Sequence, residues 1–355
     1  MIWTETEEYI MGDCEKVVKT NFNVASFDLD DTLITSTSGK FSSSSTDWKL
    51  YNECIPDRLN NFIKQGYTIV IFSNQKGISS GKVDKKTWME KIEKFAKLVN
   101  VPFTIIASLG DNKYRKPLPN MWYLVDGNKS KSFFCGDAGG LPGRMVCNEY
   151  IDKDFSDTDL KFALNLGIPF IHRDELIFGV KQTCIPNYPK LEFDKRPDFN
   201  YTFNEPTVVI NVGCPGSGKS YFTSKFPNAS VINQDTLKTA AKCLSTYKTC
   251  LKKKDRLIII DNTNPSKDKR KVFIDLAKDN GYDVVCYYFT TPLDVSKHNN
   301  YYRWYTSGVK LVPSIAYNMY KKHFTIPTIV EGFSKIYTID FANEKDDPVY
   351  YMYFY

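Results

Sequence analysis

Short runs of β-branched and aromatic residues alternate along the chain with longer stretches whose apolar positions recur at helical spacing. In the first half the runs are 22–27, 67–72, 103–107 and 132–135; in the second they are 207–212, 257–260 and 284–289. Between the second and third runs, Trp88, Ile92, Phe95 and Val99 repeat every three or four residues within a lysine-rich segment, which predicts an amphipathic surface helix. Strand, helix, strand in repetition predicts an α/β fold with two Rossmann-like parallel sheets, because parallel strands need crossover connections. Ligands of such sheets bind beyond the carboxyl ends of the strands, so the residues directly after each run are the candidates for chemistry.

The chain has 355 residues, enough for two domains. Four prolines (Pro186, Pro189, Pro197 and Pro206) with no apolar periodicity between them predict an interdomain connection, giving domains 1–190 and 191–355. A serine run from Ser42 to Ser45 predicts an exposed loop. At 42% hydrophobic and 25% charged residues, the chain is not disordered as a whole. No stretch nears the roughly 20 apolar residues of a membrane span, and the N-terminus lacks a basic segment followed by an apolar one. The expectation is an intracellular protein without a membrane partner, in nucleus or cytoplasm. Nine cysteines without a C-x-x-C pair, and only three histidines, predict free, mostly buried thiols rather than a zinc site.

Net charge is +6 and unevenly placed. Residues 1–200 hold 26 Lys+Arg against 27 Asp+Glu, whereas residues 201–355 hold 21 against 14. The second half therefore favours an anionic partner, phosphate or nucleic acid, although a solvated lysine-rich surface accounts for the surplus equally well.

Directly after the first run stand Asp28, Leu29, Asp30, Asp31, Thr32 and Leu33. Two carboxylates two residues apart at a strand end can share a site, one as nucleophile and one as general acid and base; a turn capping the next helix is the other reading. The run 67–72 leads into Ser73, Asn74 and Gln75, a hydroxyl and amides suited to phosphate oxygens. Lys116, in the stretch Tyr114 to Pro117, supplies a cation, and the run 132–135 leads through Gly136 to Asp137, a carboxylate suited to Mg²⁺. Asp, Ser, Lys and Asp in this order and setting resemble the haloacid dehalogenase phosphatases. The resemblance implies that Asp28 forms an aspartyl-phosphate, that Asp30 protonates the leaving oxygen and later activates water, and that Mg²⁺ sits among Asp28, the Asp30 carbonyl and Asp137. It also implies that Ser73, Asn74 and Lys116 hold the phosphoryl group. Asp154, Asp157 and Asp159 are supporting partners of that site or helix caps and surface charge.

After 207–212 come Gly213, Cys214, Pro215, Gly216, Ser217, Gly218, Lys219 and Ser220, a complete G-x-x-x-x-G-K-[ST]. Its glycines let backbone N–H groups face a phosphate at a helix N-terminus, Lys219 reaches the β- and γ-phosphates of ATP, and Ser220 ligates Mg²⁺. Asp235, after the apolar residues Val231 and Ile232, is a candidate base for an attacking hydroxyl or an N-cap before Thr236. Asp261, ending the run 257–260, is placed to orient Mg²⁺ or to make structural polar bonds. Arg303, on a helix predicted from His298 onward, is a candidate lid arginine or part of an exposed face; Arg270 is a second lid candidate or basic surface.

A phosphatase module followed by a P-loop kinase module, carrying GDAGG, KDFSDTD, FALNLGIPF, GCPGSGKS, IDNTNP, KHNN and PTIVEGF, resembles the eukaryotic polynucleotide kinase 3′-phosphatase family. That resemblance implies a bifunctional end-healing enzyme of DNA strand-break repair. It would take DNA ends with a 3′-phosphate or 5′-hydroxyl, with RNA also admissible, and use Mg²⁺ and ATP. A monomer without the forkhead-associated docking module of animal members is expected. Two positions depart from the family: Gln234 and Tyr301 stand where arginines are common, which weakens contacts to phosphate. A small-molecule phosphatase/kinase fusion and a non-catalytic end-binding scaffold are the alternatives.

Overall fold

A computed structural model describes residues 1–14, 22–39, 44–181, 203, 206–343 and 347–355. The proline-rich connection between Lys181 and Pro206, the first half of the serine run and Cys184 lie mostly or wholly outside the described residues. The chain divides into two compact units, Met1–Pro189 with Met352–Tyr355, and Lys190–Tyr351.

The first unit is built on strands β1 (Ile2–Glu5), β2 (Tyr9–Asp13), β3 (Val24–Phe27), β4 (Thr68–Asn74), β5 (Phe103–Ser108), β6 (Phe133–Gly136) and β7 (Phe170–His172). They form one sheet in the order β1-β2-β5-β4-β3-β6-β7. From β5 to β7 the pairing is parallel, as expected. The β1–β2 hairpin is antiparallel and adds two strands to the edge, so the sheet is mixed rather than purely parallel. Trp3 covers Gly12 in this hairpin; a Cβ there would meet the indole ring at 2.4 Å.

Helices α1 (Ile55–Lys64), α2 (Lys85–Val99) and α3 (Thr158–Leu166) accompany the sheet. The predicted stripe of α2 is the buried one: Trp88, Ile92, Phe95 and Val99 are all 3% exposed or less, and full burial of such side chains contributes about 1.5–3 kcal/mol each. The Asp84 carboxylate starts this helix by accepting the Thr87 N–H at 2.8 Å, and Asn100 ends it in the left-handed conformation.

In the second unit, β8 (Thr207–Val212), β9 (Ser230–Ile232), β10 (Leu257–Ile260), β11 (Asp283–Phe289) and β12 (Lys335–Ile339) form a wholly parallel sheet in the order β9-β10-β8-β11-β12. Every residue of β8 is buried, as a central parallel strand covered on both faces requires. Helices α4 (Ala240–Lys253), α5 (Lys267–Asp279) and α6 (Leu293–Ser307) belong to this unit. Among the described residues no helix is long and apolar enough to cross a membrane, and each described cysteine is a free thiol, with Cys135, Cys214, Cys243 and Cys286 buried.

Candidate active sites

In the first unit, Phe27 pairs with Ile71 on one side and Cys135 on the other, which brings Asp28, Ser73 and Asp137 to the same end of the sheet. The Asp28 N–H donates to the Cys135 carbonyl at 2.8 Å, so the ladder continues into Asp28. Ser73 and Asn74 are the last residues of β4 itself rather than a loop after it. Lys116 arrives from the segment after β5; its buried Nζ donates to Asp28 Oδ1 at 2.5 Å and to Asp159 Oδ1 at 2.7 Å. Asn74, expected to offer its amide to phosphate, is committed to the lysine's backbone instead. Its Oδ1 accepts the Lys116 N–H at 2.9 Å and its Nδ2 donates to the Lys116 carbonyl at 3.1 Å.

Asp159 is the residue the sequence undervalued. It is 2% exposed, neither a cap nor surface charge, and its carboxylate lies within 4.8 Å of those of Asp28 and Asp137. Gly136 makes the room: a Cβ there would stand 2.2 Å from Asp159 Oδ2. Asp154 holds the loop after β6 by accepting the N–H groups of Gly139 and Leu141 at 3.1 and 2.9 Å, and Arg144 joins it to Asp174 at 2.8 and 2.6 Å. Asp157 pairs with Lys161 one turn on, at 2.9 Å.

The electrostatics of this cluster are unbalanced. Burial pushes the Asp28 carboxyl well above its ordinary range against the pull of Lys116. Burial, then the neighbouring Asp159, raises Asp137 to about 7. Burial alone would lower the Lys116 ammonium, but Asp159 and Asp28 outweigh it and its pKa ends above normal. One ammonium among three carboxylates leaves negative charge in surplus, and three hard oxygen donors this close together suit a small divalent cation such as Mg²⁺. Asp30 does not join them through its side chain, which is 51% exposed; Oδ2 accepts from Gln75 Nε2 at 2.6 Å and Oδ1 lies 3.5 Å from Lys91 Nζ. Gln75 Nε2 also reaches Ser73 Oγ at 2.8 Å, an acceptor role that leaves the serine's own proton free to donate.

In the second unit the loop after β8 has its glycines where the backbone demands them. Gly216 and Gly218 have φ of +78° and +92°, and a Cβ on Gly216 would strike the Ser296 carbonyl at 2.2 Å. Lys219 opens the short helix Lys219–Thr223, and its buried Nζ donates to the carbonyls of Gly213 (3.0 Å) and Cys214 (2.6 Å). Burial lowers this ammonium to about 8. Ser220 is exposed at the mouth. Asn299 Nδ2 donates to the Gly216 carbonyl at 2.9 Å and Thr291 Oγ1 to that of Ser217 at 2.9 Å, so both sides of the loop are pinned by residues outside the motif. A cleft of about 250 Å³ opens beside it, lined by Gly218, Lys219, Asn299, Tyr302, Arg303 and Asn343 among others. Arg303, exposed on α6, therefore faces the loop's cleft as a lid arginine would.

Asp261 is buried; Oδ1 accepts from Asn211 Nδ2 at 3.0 Å and Oδ2 from Asn233 Nδ2 at 3.1 Å. The N-cap of helix Gln234–Leu237 is Asn233, whose Oδ1 accepts the N–H groups of Asp235 (2.8 Å) and Thr236 (3.2 Å). Asp235 is thereby relieved of capping and stays exposed in the first turn. Arg270 is neither lid nor basic surface. It is fully buried, paired with both oxygens of Glu331 at 2.7 Å, and donates to the carbonyls of Asn264, Pro265 and Thr325. Of the KHNN motif, Asn299 holds the loop and Asn300 brackets Val312, both of its amide atoms bonded at 3.0 Å.

Residues 23–177 match the family described as polynucleotide kinase 3 phosphatase, and residues 239–327 match an AAA domain. A protein of Acanthamoeba polyphaga mimivirus assigned as a bifunctional polynucleotide phosphatase/kinase is 36% identical over 396 residues, covering 98% of this chain and 93% of its own. The bifunctional polynucleotide phosphatase/kinase of Schizosaccharomyces pombe is 33% identical over 363 residues, covering 97% and 86%. The polynucleotide 3′-phosphatase of Saccharomyces cerevisiae is 28% identical over 219 residues, covering 44% of this chain and 88% of its own.

Proposed function

The chain belongs to the family of bifunctional polynucleotide phosphatase/kinases, and we propose that it heals broken DNA ends by removing 3′-phosphates at Asp28 and phosphorylating 5′-hydroxyls from ATP at the Gly213–Ser220 loop. Mg²⁺ bound at Asp28, Asp137 and Asp159, and at Ser220 and Asp261, would offset the charge gathered around each phosphoryl group. In the phosphatase reaction Asp28 attacks phosphorus and becomes an aspartyl-phosphate while Asp30 protonates the departing 3′ oxygen. Asp30 then takes a proton from the water that releases phosphate. Lys116 and Ser73 donate to the phosphoryl oxygens throughout, and Lys116 pulls against the burial that raises the Asp28 carboxyl.

In the kinase reaction the loop N–H groups and Lys219 hold the donor phosphates, Asp235 takes the proton of the attacking 5′-hydroxyl, and Arg303 meets the charge on the phosphoryl group in flight. The observation that carries the reading is the sharing of Lys116 between Asp28 and Asp159, a cation placed to serve both a nucleophile and a phosphate. The test uses end-labelled DNA and RNA oligonucleotides. Asp28→Asn should abolish 3′-phosphate removal and spare 5′-phosphorylation, and Lys219→Ala should do the reverse. Loss of both activities from either change, or indifference to the oligonucleotide, refutes it.

A further inference from the structure

Asp30 differs from the other carboxylates of the phosphatase site. Its side chain is 51% exposed where that of Asp28 is 11%, so packing does not fix its rotamer. A proton donor nevertheless works only when its oxygen stands within hydrogen-bond reach of the leaving atom. Gln75, 8% exposed, grips one oxygen at 2.6 Å. The other lies 3.5 Å from Lys91, and Lys91 is unusual in being buried. It sits on α2 between Trp88 and Ile92 of the buried stripe, and its side chain is only 9% exposed. A lysine there gives up the hydration of its ammonium at a position that Leu or Met would fill without that loss.

We propose that Lys91 is a positioning residue of the phosphatase reaction: with Gln75 it turns the Asp30 carboxyl toward the oxygen leaving phosphorus. This rests on the assignment of Asp30 as the proton donor. As the Asp28 oxygen–phosphorus bond forms and the phosphorus–O3′ bond breaks, the proton passes from Asp30 to O3′. When water later displaces Asp28 from phosphorus, its proton passes to Asp30. Lys91 gives up no proton in either half; its charge and fixed stem set where the Asp30 oxygen is held. The buried core of α2 is thereby tied to the acid, while Lys116 is bonded to Asp28 and Asp159 instead and Ser73 meets Asp30 through Gln75.

The test exploits leaving-group dependence. Lys91→Met keeps the buried stem and removes the charge. The kcat/KM value reads only the steps through transfer to Asp28. An oligonucleotide 3′-phosphate expels an alkoxide that needs the proton, whereas p-nitrophenyl phosphate expels a stable phenolate that does not. For Lys91→Met, kcat/KM should fall about tenfold or more on the oligonucleotide, part of the 10²–10⁴ that general acid catalysis supplies. On the aryl ester it should fall less than about threefold, and Lys91→Arg should restore most of the loss. A purely structural lysine would lower both substrates together; that result, or no loss on either, overturns the proposal. Asp30→Asn measured alongside separates the two claims. If it treats the substrates alike, the assignment of Asp30 fails; if it discriminates and Lys91→Met does not, only the positioning role fails.

Discussion

Replacing Arg270 by Met tests whether this arginine belongs to the scaffold or to the chemistry. The guanidinium is fully buried and its partner Glu331 has a side chain 3% exposed. Two bonds of 2.7 Å join them, Nη1 donates to the carbonyls of Asn264, Pro265 and Thr325, and Nη2 also donates to Thr325 Oγ1 at 3.2 Å. Arg270→Met leaves the Glu331 charge buried without its counter-ion, a change that destabilises by about 3–5 kcal/mol. Against a total of about 5–15 kcal/mol, and with a urea slope of about 2 kcal/mol per molar, the midpoint of the second unit should fall by about 1.5–2.5 M. The double variant Arg270→Met with Glu331→Met removes the orphaned charge and should recover more than half of that loss. Recovery stops short of completion because three carbonyls have lost their donor. Urea titration followed by circular dichroism gives the midpoints, and 5′-kinase assays at a temperature where the variant is folded give the second readout. There kcat should stay within about threefold of the parent, since the side chain is sealed away from the phosphate loop. A hundredfold loss of kcat with an unchanged midpoint would show that Arg270 reaches the transferring phosphoryl group, and the scaffold assignment would be wrong.

Other expectations follow from the same contacts. Asp159→Asn should raise the Mg²⁺ concentration needed for half-maximal phosphatase activity by about tenfold or more and leave kinase activity intact; an unchanged Mg²⁺ dependence would remove Asp159 from the metal set. Gly136→Ala puts a methyl group against Asp159 and should cut phosphatase activity by about 10² or more while 5′-phosphorylation persists, as a two-product assay on one oligonucleotide would record. Lys219 has its pKa lowered to about 8, so the free enzyme carries the charge below that pH and loses it above. Kinase kcat/KM for ATP should accordingly decline above about pH 8, by about tenfold per unit, and a profile flat to pH 10 would contradict the burial argument.

The loop Gly213–Ser220 was legible as a candidate phosphate site because its turn and its lysine lie within eight consecutive residues, whereas its outside supports, Thr291 and Asn299, were not. The candidates Asp28, Ser73 and Asp137 were legible one strand end at a time, since β3, β4 and β6 are buried apolar runs whose termini mark themselves. What failed to show were buried charged groups such as Arg270 and Asp159, whose partners lie far along the chain. Arg270 sits within Lys269-Arg270-Lys271 and reads as surface, yet it begins a stripe with Ile274 and Ala277 on the buried face of α5, a periodicity that was available. Its partner, 61 residues on, was not. Asp159 gave one usable sign in the glycine at 136, which has no turn to make there and whose missing Cβ is filled by the carboxylate. The β1–β2 hairpin escaped because its outer strand is largely exposed and carries no apolar run, and β12 for the same reason: only Ile339 of its five residues is buried.

The two sites depart from charge balance in opposite senses, and this fixes what each is short of. Around Asp28 there is one lysine for three carboxylates, and burial, then the neighbouring Asp159, holds the Asp137 carboxyl up at about 7. Around Lys219 there is an ammonium bonded to carbonyls, deep enough that burial pulls it down to about 8. A divalent cation at the first and a phosphate at the second would each draw these groups back toward their ordinary ionisation. Asn74 already fixes the backbone of Lys116 and Asn299 the loop around Lys219, while a bound phosphate would draw Lys219 Nζ off the Gly213 and Cys214 carbonyls. The amide side chains, which carry no charge and titrate nowhere, are what keep both unbalanced sites in shape while they wait.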